Sequence, residues 1–157
     1  MDNYKISPNT LAVIPIGQRR TKVYEKDDII IVNQSAKKII EDNCEYYGST
    51  YDLRKKNTVK LIGVTHKSPI VIEDTTNMIF FPTQSPRLNT CSWISLNNLE
   101  YYGPYGINSI VKFYNNFSIQ LPISKEIISN QVLRATRLES VVRKRKEELA
   151  KYSNKNL

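Results

Sequence analysis

Residues 64–95 read VTHKSPIVIEDTTNMIFFPTQSPRLNTCSWIS, and the three short apolar runs inside them decide the fold class. The runs at 70–72, 78–81 and 93–96 are β-branched or aromatic and are bounded by Pro, Asn and polar residues, which is the pattern of short strands. They follow one another too closely to leave room for crossover helices, so they are expected to pair antiparallel. Working outward, 11–16, 29–33 and 59–64 carry the same signature. Residues 110–114 and 118–121 read as a hairpin closed by Asn115 and Asn116, because Asn tolerates the positive φ that tight turns require.

Helical signals are fewer. Ser35 is placed to cap a helix starting at Ala36, whose Ile39, Ile40 and Cys44 share one face and which Gly48 can stop. A short helical turn is expected through Tyr51, Leu53 and Arg54. From Ser124 onward, Ile128, Val132, Ala135, Leu138 and Val142 keep the rhythm of an amphipathic helix running to about Lys151. Glu126 suits its positive end. The expected class is α+β: antiparallel sheet, a short helix in the first half and a long C-terminal amphipathic helix. A chain of 157 residues fits one domain, here 1–151, followed by a polar tail at 152–157.

The formal charge of +8 favours a polyanionic partner. Residues 1–124 hold 14 basic and 11 acidic side chains, whereas 125–157 hold 9 basic and 4 acidic, so the C-terminal segment carries most of the excess. No run of about 18 apolar residues is present and MDNYKISPNT lacks an apolar signal core, so no membrane partner and a cytoplasmic location are expected. Cys44 and Cys91 form a single possible pair and are expected to remain thiols in a reducing compartment, acting as two small buried apolar residues.

The stretch at 64–95 has companions in NCEYYGSTYDLRK at 43–55 and LPISKEIISNQVLRAT at 121–136. Within these, the pieces Thr65-His66-Lys67-x-Pro69-Ile70, Asn77-Met78-Ile79-Phe80-Phe81-Pro82-Thr83, Cys91-x-Trp93-Ile94-Ser95, Tyr46-Tyr47-Gly48-Ser49, and Leu121-Pro122-Ile123-Ser124 leading to Asn130-Gln131-Val132 hold a common order and spacing. Together they resemble the ComK family of competence transcription factors over about residues 4–138. The resemblance implies a sequence-specific activator of DNA-uptake genes that binds paired AT-rich promoter boxes in double-stranded DNA, through the minor groove and as a homo-oligomer. It further implies RNA polymerase as a partner and a place on the nucleoid when bound. Past about Glu139 the chain departs from the pattern, which in longer members continues into a region that adaptor proteins use to deliver them for proteolysis. Adaptor control therefore stays open, as does a role as accessory modulator of a longer paralogue.

Several basic sites can meet DNA. Arg54, Lys55 and Lys56 follow Ser49 and Thr50 at an expected helix start, where hydroxyls and cations together suit phosphate. Pro69 stiffens a turn presenting His66 and Lys67 between what read as two strands. Arg87, in a loop with two prolines, suits a narrow minor groove. On the last helix, Arg134, Arg137 and Lys144 share the face opposite the apolar stripe and either follow phosphates or form an ordinary solvated face; the run 143–146 is denser still. Trp93, Tyr46, Tyr47, Phe80 and Phe81 read as core.

Catalysis finds little footing. One His and two widely spaced Cys make neither a local nucleophile motif nor a zinc site, and five Gly supply no phosphate loop. No catalytic residue, metal or cofactor is therefore expected. Two other classes stay in view: a protein whose basic helix docks an acidic partner, and an RNA binder, which would need aromatics exposed on a sheet.

Overall fold

The computed structural model describes residues 1–155, with side chains through Ser153. The runs at 70–72 and 78–81 become β4 (Ile70–Glu73) and β5 (Met78–Pro82), and β6 is Trp93–Ser95. They join β1 (Thr10–Gly17), β2 (Arg20–Glu25) and β3 (Ile29–Val32) in a six-stranded sheet of order β3-β2-β1-β6-β5-β4, antiparallel throughout. A second antiparallel sheet holds β7 (Leu99–Tyr105), β8 (Asn108–Phe113) and β9 (Ser118–Leu121) in sequence order. Its β8–β9 hairpin turns at Asn115 and Asn116, the latter at φ 73°.

The central strands read as unbroken apolar runs because they are covered on both faces. Alternate side chains point to opposite sides of a strand. Val13, Ile70, Ile72, Phe80 and Trp93 accordingly enter one core with α1 (Ala36–Tyr46) and Tyr51, whereas Ala12, Val71, Ile79, Phe81 and Ile94 enter a second with Val111, Phe113, Ile128, Ala135 and Leu138. All five residues of β5 are buried. Each large apolar side chain so enclosed contributes roughly 1.5–3 kcal/mol.

Three helices cover this framework. Ser35 caps α1 as expected, its Oγ accepting the Lys38 N–H at 3.1 Å. The short turn expected near Tyr51 is instead a twelve-residue helix, α2 (Tyr51–Ile62), which absorbs most of the segment 59–64 read as a strand. The β-branched Val59, Ile62 and Val64 gave the strand signal. Tyr51, Thr58 and Ile62 nevertheless lie on one helical face and are buried, and Thr50 caps the start by accepting the Leu53 N–H at 3.1 Å. Gly63 ends the helix at φ 72°, a left-handed conformation that costs glycine little. Packing thus overrides local propensity here.

The last helix, α3 (Lys125–Lys155), starts after Ser124, whose Oγ accepts the Ile127 N–H at 3.3 Å. It continues past Lys151 to Lys155, into the segment read as a polar tail, whose last two positions lie outside the described residues. Among the described residues no helix is long and apolar enough to cross a membrane. Two strands escaped the sequence reading. β2 alternates with charged residues, and β7 leaves Tyr101 and Tyr105 exposed and contains Gly103 and Pro104.

Asn43 ties the N-terminal segment to this frame. Its side chain accepts the Ile6 N–H at 2.8 Å and donates to the carbonyls of Tyr4 and Ile39 at 2.9 and 2.8 Å, all buried. Asn43→Ala should cost about 2 kcal/mol by stranding these groups. Urea denaturation measures it, and a change within about 0.5 kcal/mol, the range of an ordinary surface substitution, would show that the lock is unimportant.

Candidate nucleic-acid interface

Five basic side chains from four segments meet around one groove of about 370 Å3. Lys37 comes from α1 and Lys55 from α2. His66 and Lys67 lie on the turn joining α2 to β4, not between two strands as the sequence suggested, and Arg87 lies on the loop between β5 and β6. The facing carboxylate is Asp52. None of the five stands in an ion pair among the described residues. The lysine and arginine charges so gathered repel one another and create a local positive potential, so the arrangement suits an anion better than it suits the free protein.

Buried polar contacts fix the two loops. Gln131 on α3 is 1% exposed, and its Nε2 donates to the carbonyls of Lys67 at 2.9 Å and Pro82 at 2.7 Å. One side chain therefore pins the base of the His66–Lys67 turn and the start of the Arg87 loop together. Arg134 reinforces it, with Nη1 donating to Gln131 Oε1 at 3.1 Å and to the His66 carbonyl at 3.3 Å. Thr58 Oγ1 donates to the Pro69 carbonyl at 2.7 Å, and Ser68 Oγ to that of Val64 at 2.9 Å. Lys67 sits at φ 49°, in the left-handed region. The Arg87 loop is closed at its neck by Thr83 N–H to the Ser92 carbonyl at 2.9 Å and Ser92 N–H to Thr83 Oγ1 at 3.1 Å. Such loops lose less freedom when they bind.

The remaining sequence candidates separate. Arg54 points away from Lys55, into a second groove with Asp74, Arg145 and Lys146 against α3, and its Nε is buried without a hydrogen-bond partner. Successive helical residues diverge by about 100°, so Arg54 and Lys55 line different grooves. Lys56 is exposed and Ser49 half-buried, and neither lines the groove. Arg134 is half-buried in the bonds just described, leaving Arg137 and Lys144 exposed on α3. In the run at 143–146, Arg143 is engaged by Glu139 at 3.5 Å and Glu147 at 3.9 Å, and Lys146 donates to Asn77 Oδ1 at 3.0 Å.

Sequence reasoning missed Lys37 and Gln131. Lys37 had a signal: it and Lys38 occupy the first turn of α1, where cations oppose the helix dipole. Gln131 had only its place in the Asn130-Gln131-Val132 piece of the family pattern, which says nothing of its role, since only the tertiary fold brings two carbonyls to it. Among the aromatics, Trp93, Phe80 and Phe81 are buried, but Tyr46 is 57% exposed, edge-on to Tyr47 with Lys5 Nζ 3.7 Å from its ring. It sits just before the helix end, past the buried Cys44, so its ring faces water.

A comparison with family models matches residues 1–147 to the ComK protein. The chain belongs to the ComK family. It is also 31% identical, over 144 residues, to a competence transcription factor of Bacillus subtilis (strain 168), an alignment covering 89% of this chain and 75% of that relative. The ComK match continues beyond Glu139, where the sequence motifs stop. No solved structure matches the chain.

Both cysteines are free and buried. Burial pushes the Cys44 thiol up to about 11, against an opposing pull from Arg54, and raises Cys91 as well. Burial also raises the Tyr51 phenol, and it raises that of Tyr4 together with the hydrogen bond to Glu25. Each group holds its proton more tightly folded than unfolded, so its stabilisation is complete below the ordinary value, about 9 for the thiols and 10 for the phenols. It is lost as pH rises through the folded value. Stability should therefore decline above about pH 9, and iodoacetamide should alkylate neither thiol in the folded protein at pH 8. Rapid native-state alkylation of Cys44 would contradict the burial argument.

Proposed function

We propose that the chain is a DNA-binding transcription factor of competence genes, in which the groove between α1, α2 and the two loops lies on the DNA backbone. The observation that carries this reading is the convergence on one groove of Lys37 and Lys55 from two helices with His66, Lys67 and Arg87 from two loops that Gln131 fixes, none of them in an ion pair among the described residues. Membership of the ComK family and the likeness to a competence transcription factor support it independently. Lys55 and Lys67 neutralise phosphates. Arg87, exposed on its closed loop, enters the minor groove of an AT-rich box, where a narrow A-tract enhances the negative potential. Arg137 and Lys144 add phosphate contacts from α3. The protein acts in the cytoplasm as a homo-oligomer on paired boxes, where two-fold symmetry doubles the contacts.

If several phosphates are neutralised, affinity for AT-box duplex should fall by orders of magnitude between about 50 and 200 mM salt, through counterion release. Fluorescence anisotropy on AT-box duplex, scrambled duplex and single-stranded RNA measures this. A flat salt response, or RNA bound as tightly as duplex, would overturn the reading.

Two variants separate sequence reading from backbone holding. Arg87→Ala should weaken binding to A-tract boxes more than to mixed sequence. Lys55→Ala should weaken both alike and lower the salt slope by about one unit. Unchanged discrimination in Arg87→Ala would pass the reading role to His66 and Lys67.

A further inference from the structure

The groove just described does not end at Arg87. A neighbouring groove of about 230 Å3 shares Lys37, Pro86 and Arg87 with it, and a third of about 620 Å3 shares Ser35, Lys37 and Asn89 with the second. Lys37 lines all three. The third groove reaches Gln18 and Arg19, the two residues that turn β1 into β2 beyond the Gly17–Arg20 pair. The three grooves form one trough running from the His66–Lys67 turn, over the start of α1, to the tip of the β1–β2 hairpin.

The charge along it is organised. Lys38 is taken up by Asp42 at 2.8 Å, whereas Lys37 and Arg19 stand in no ion pair among the described residues. Lys37 is half-buried and held at the junction of the grooves, with its Nζ 4.3 Å from the centre of the Tyr51 ring. Tyr51 is packed edge-on to Trp93 at 6.1 Å, so the cation rests on the core. Arg19 is exposed on a two-residue hairpin turn, a short connection with little freedom to lose. Glu41 and Asp52 are the carboxylates that line the trough. Against them stand five cations that make no ion pair among the described residues, Arg19, Lys37, Lys55, Lys67 and Arg87. That excess, extended along a line, fits a continuous polyanion better than a compact ligand.

We propose that the β1–β2 hairpin tip is a second phosphate-contacting arm, joined to the Arg87 region by Lys37, so that duplex DNA is held along the whole trough. This rests on the DNA-binding reading above and adds to it an arm on a separate element. Each phosphate neutralised adds about 0.9 to the slope of log affinity against log salt.

The test measures salt slopes by anisotropy on an AT-box duplex with flanking sequence, for the full chain and for Arg19→Ala, Lys37→Gln and Lys26→Ala. Lys26 is exposed just past the other end of β2 and lines none of these grooves, so its variant controls for net charge. Circular dichroism melts confirm folding, and Arg19→Ala, at an exposed turn, serves if Lys37→Gln is destabilised. Arg19→Ala and Lys37→Gln should each lower the slope by about one unit and leave preference for the AT box unchanged, while Lys26→Ala leaves the slope unchanged. If Arg19→Ala and Lys37→Gln behave like Lys26→Ala while Lys55→Ala still lowers the slope, the trough ends at Arg87 and the second arm is wrong. If the unaltered chain shows no salt-dependent duplex binding, the DNA-binding reading itself fails, and the arm with it.

Discussion

Burial of the central strands on both faces is the constraint on which the rest of the molecule depends. A strand covered on one face needs only one packing layer, but β1, β6 and β5 send Val13, Trp93 and Phe80 to one side and Ala12, Ile94, Ile79 and Phe81 to the other. Two layers are then obligatory. The helix α1 and the start of α2, through Tyr51, cover the first side, and α3 with the second sheet and the end of α2, through Ile62, covers the second. The candidate interface lies where the ends of these layers meet, which is why its cations come from segments far apart in the sequence.

Placement of α3 matters to that interface more than its own charge does. The helix buries Ile128, Ala135 and Leu138 in the second core, and this registers Gln131 against the carbonyls of Lys67 and Pro82. Two carbonyls, one on the Lys67 turn and one at the end of β5, cannot satisfy each other, so a donor between them removes a desolvation cost that would otherwise fall on both. The same two bonds set the spacing between the His66–Lys67 turn and the Arg87 loop. A polar residue on the buried side of an amphipathic helix is thus explained by what it holds apart and together.

Most of the strands and two of the helices were legible because their signals are local: β-branched or aromatic runs for β1, β3 to β6, β8 and β9, and caps at Ser35 and Ser124. The segment 59–64 misled because β-branched residues also fit a helix whose buried face is Tyr51, Thr58 and Ile62. β2 and β7 were silent because each has a solvated face and little apolar content. Among the site candidates, His66, Lys67, Lys55 and Arg87 are brought to one groove, but adjacency in sequence falsely joined Arg54 to Lys55. Lys37 joins the groove, and Gln131 braces its two loops from beneath, only through tertiary packing; the cation in the first turn of α1 marked Lys37 as unusual but not as part of this site.

The single tryptophan has a consequence for how this molecule is observed. Trp93 is wholly enclosed in the core on the α1 side, against Tyr51, whereas the longest helix, with its 31 residues, packs on the other side of the sheet. Intrinsic fluorescence therefore watches one core, while the far-ultraviolet helical signal is weighted toward the element over the other. The two optical probes amount to separate gauges on opposite sides of one sheet. Coincidence of their denaturation curves would mean that the sheet transmits failure from either side to the other, the signature of a single cooperative unit.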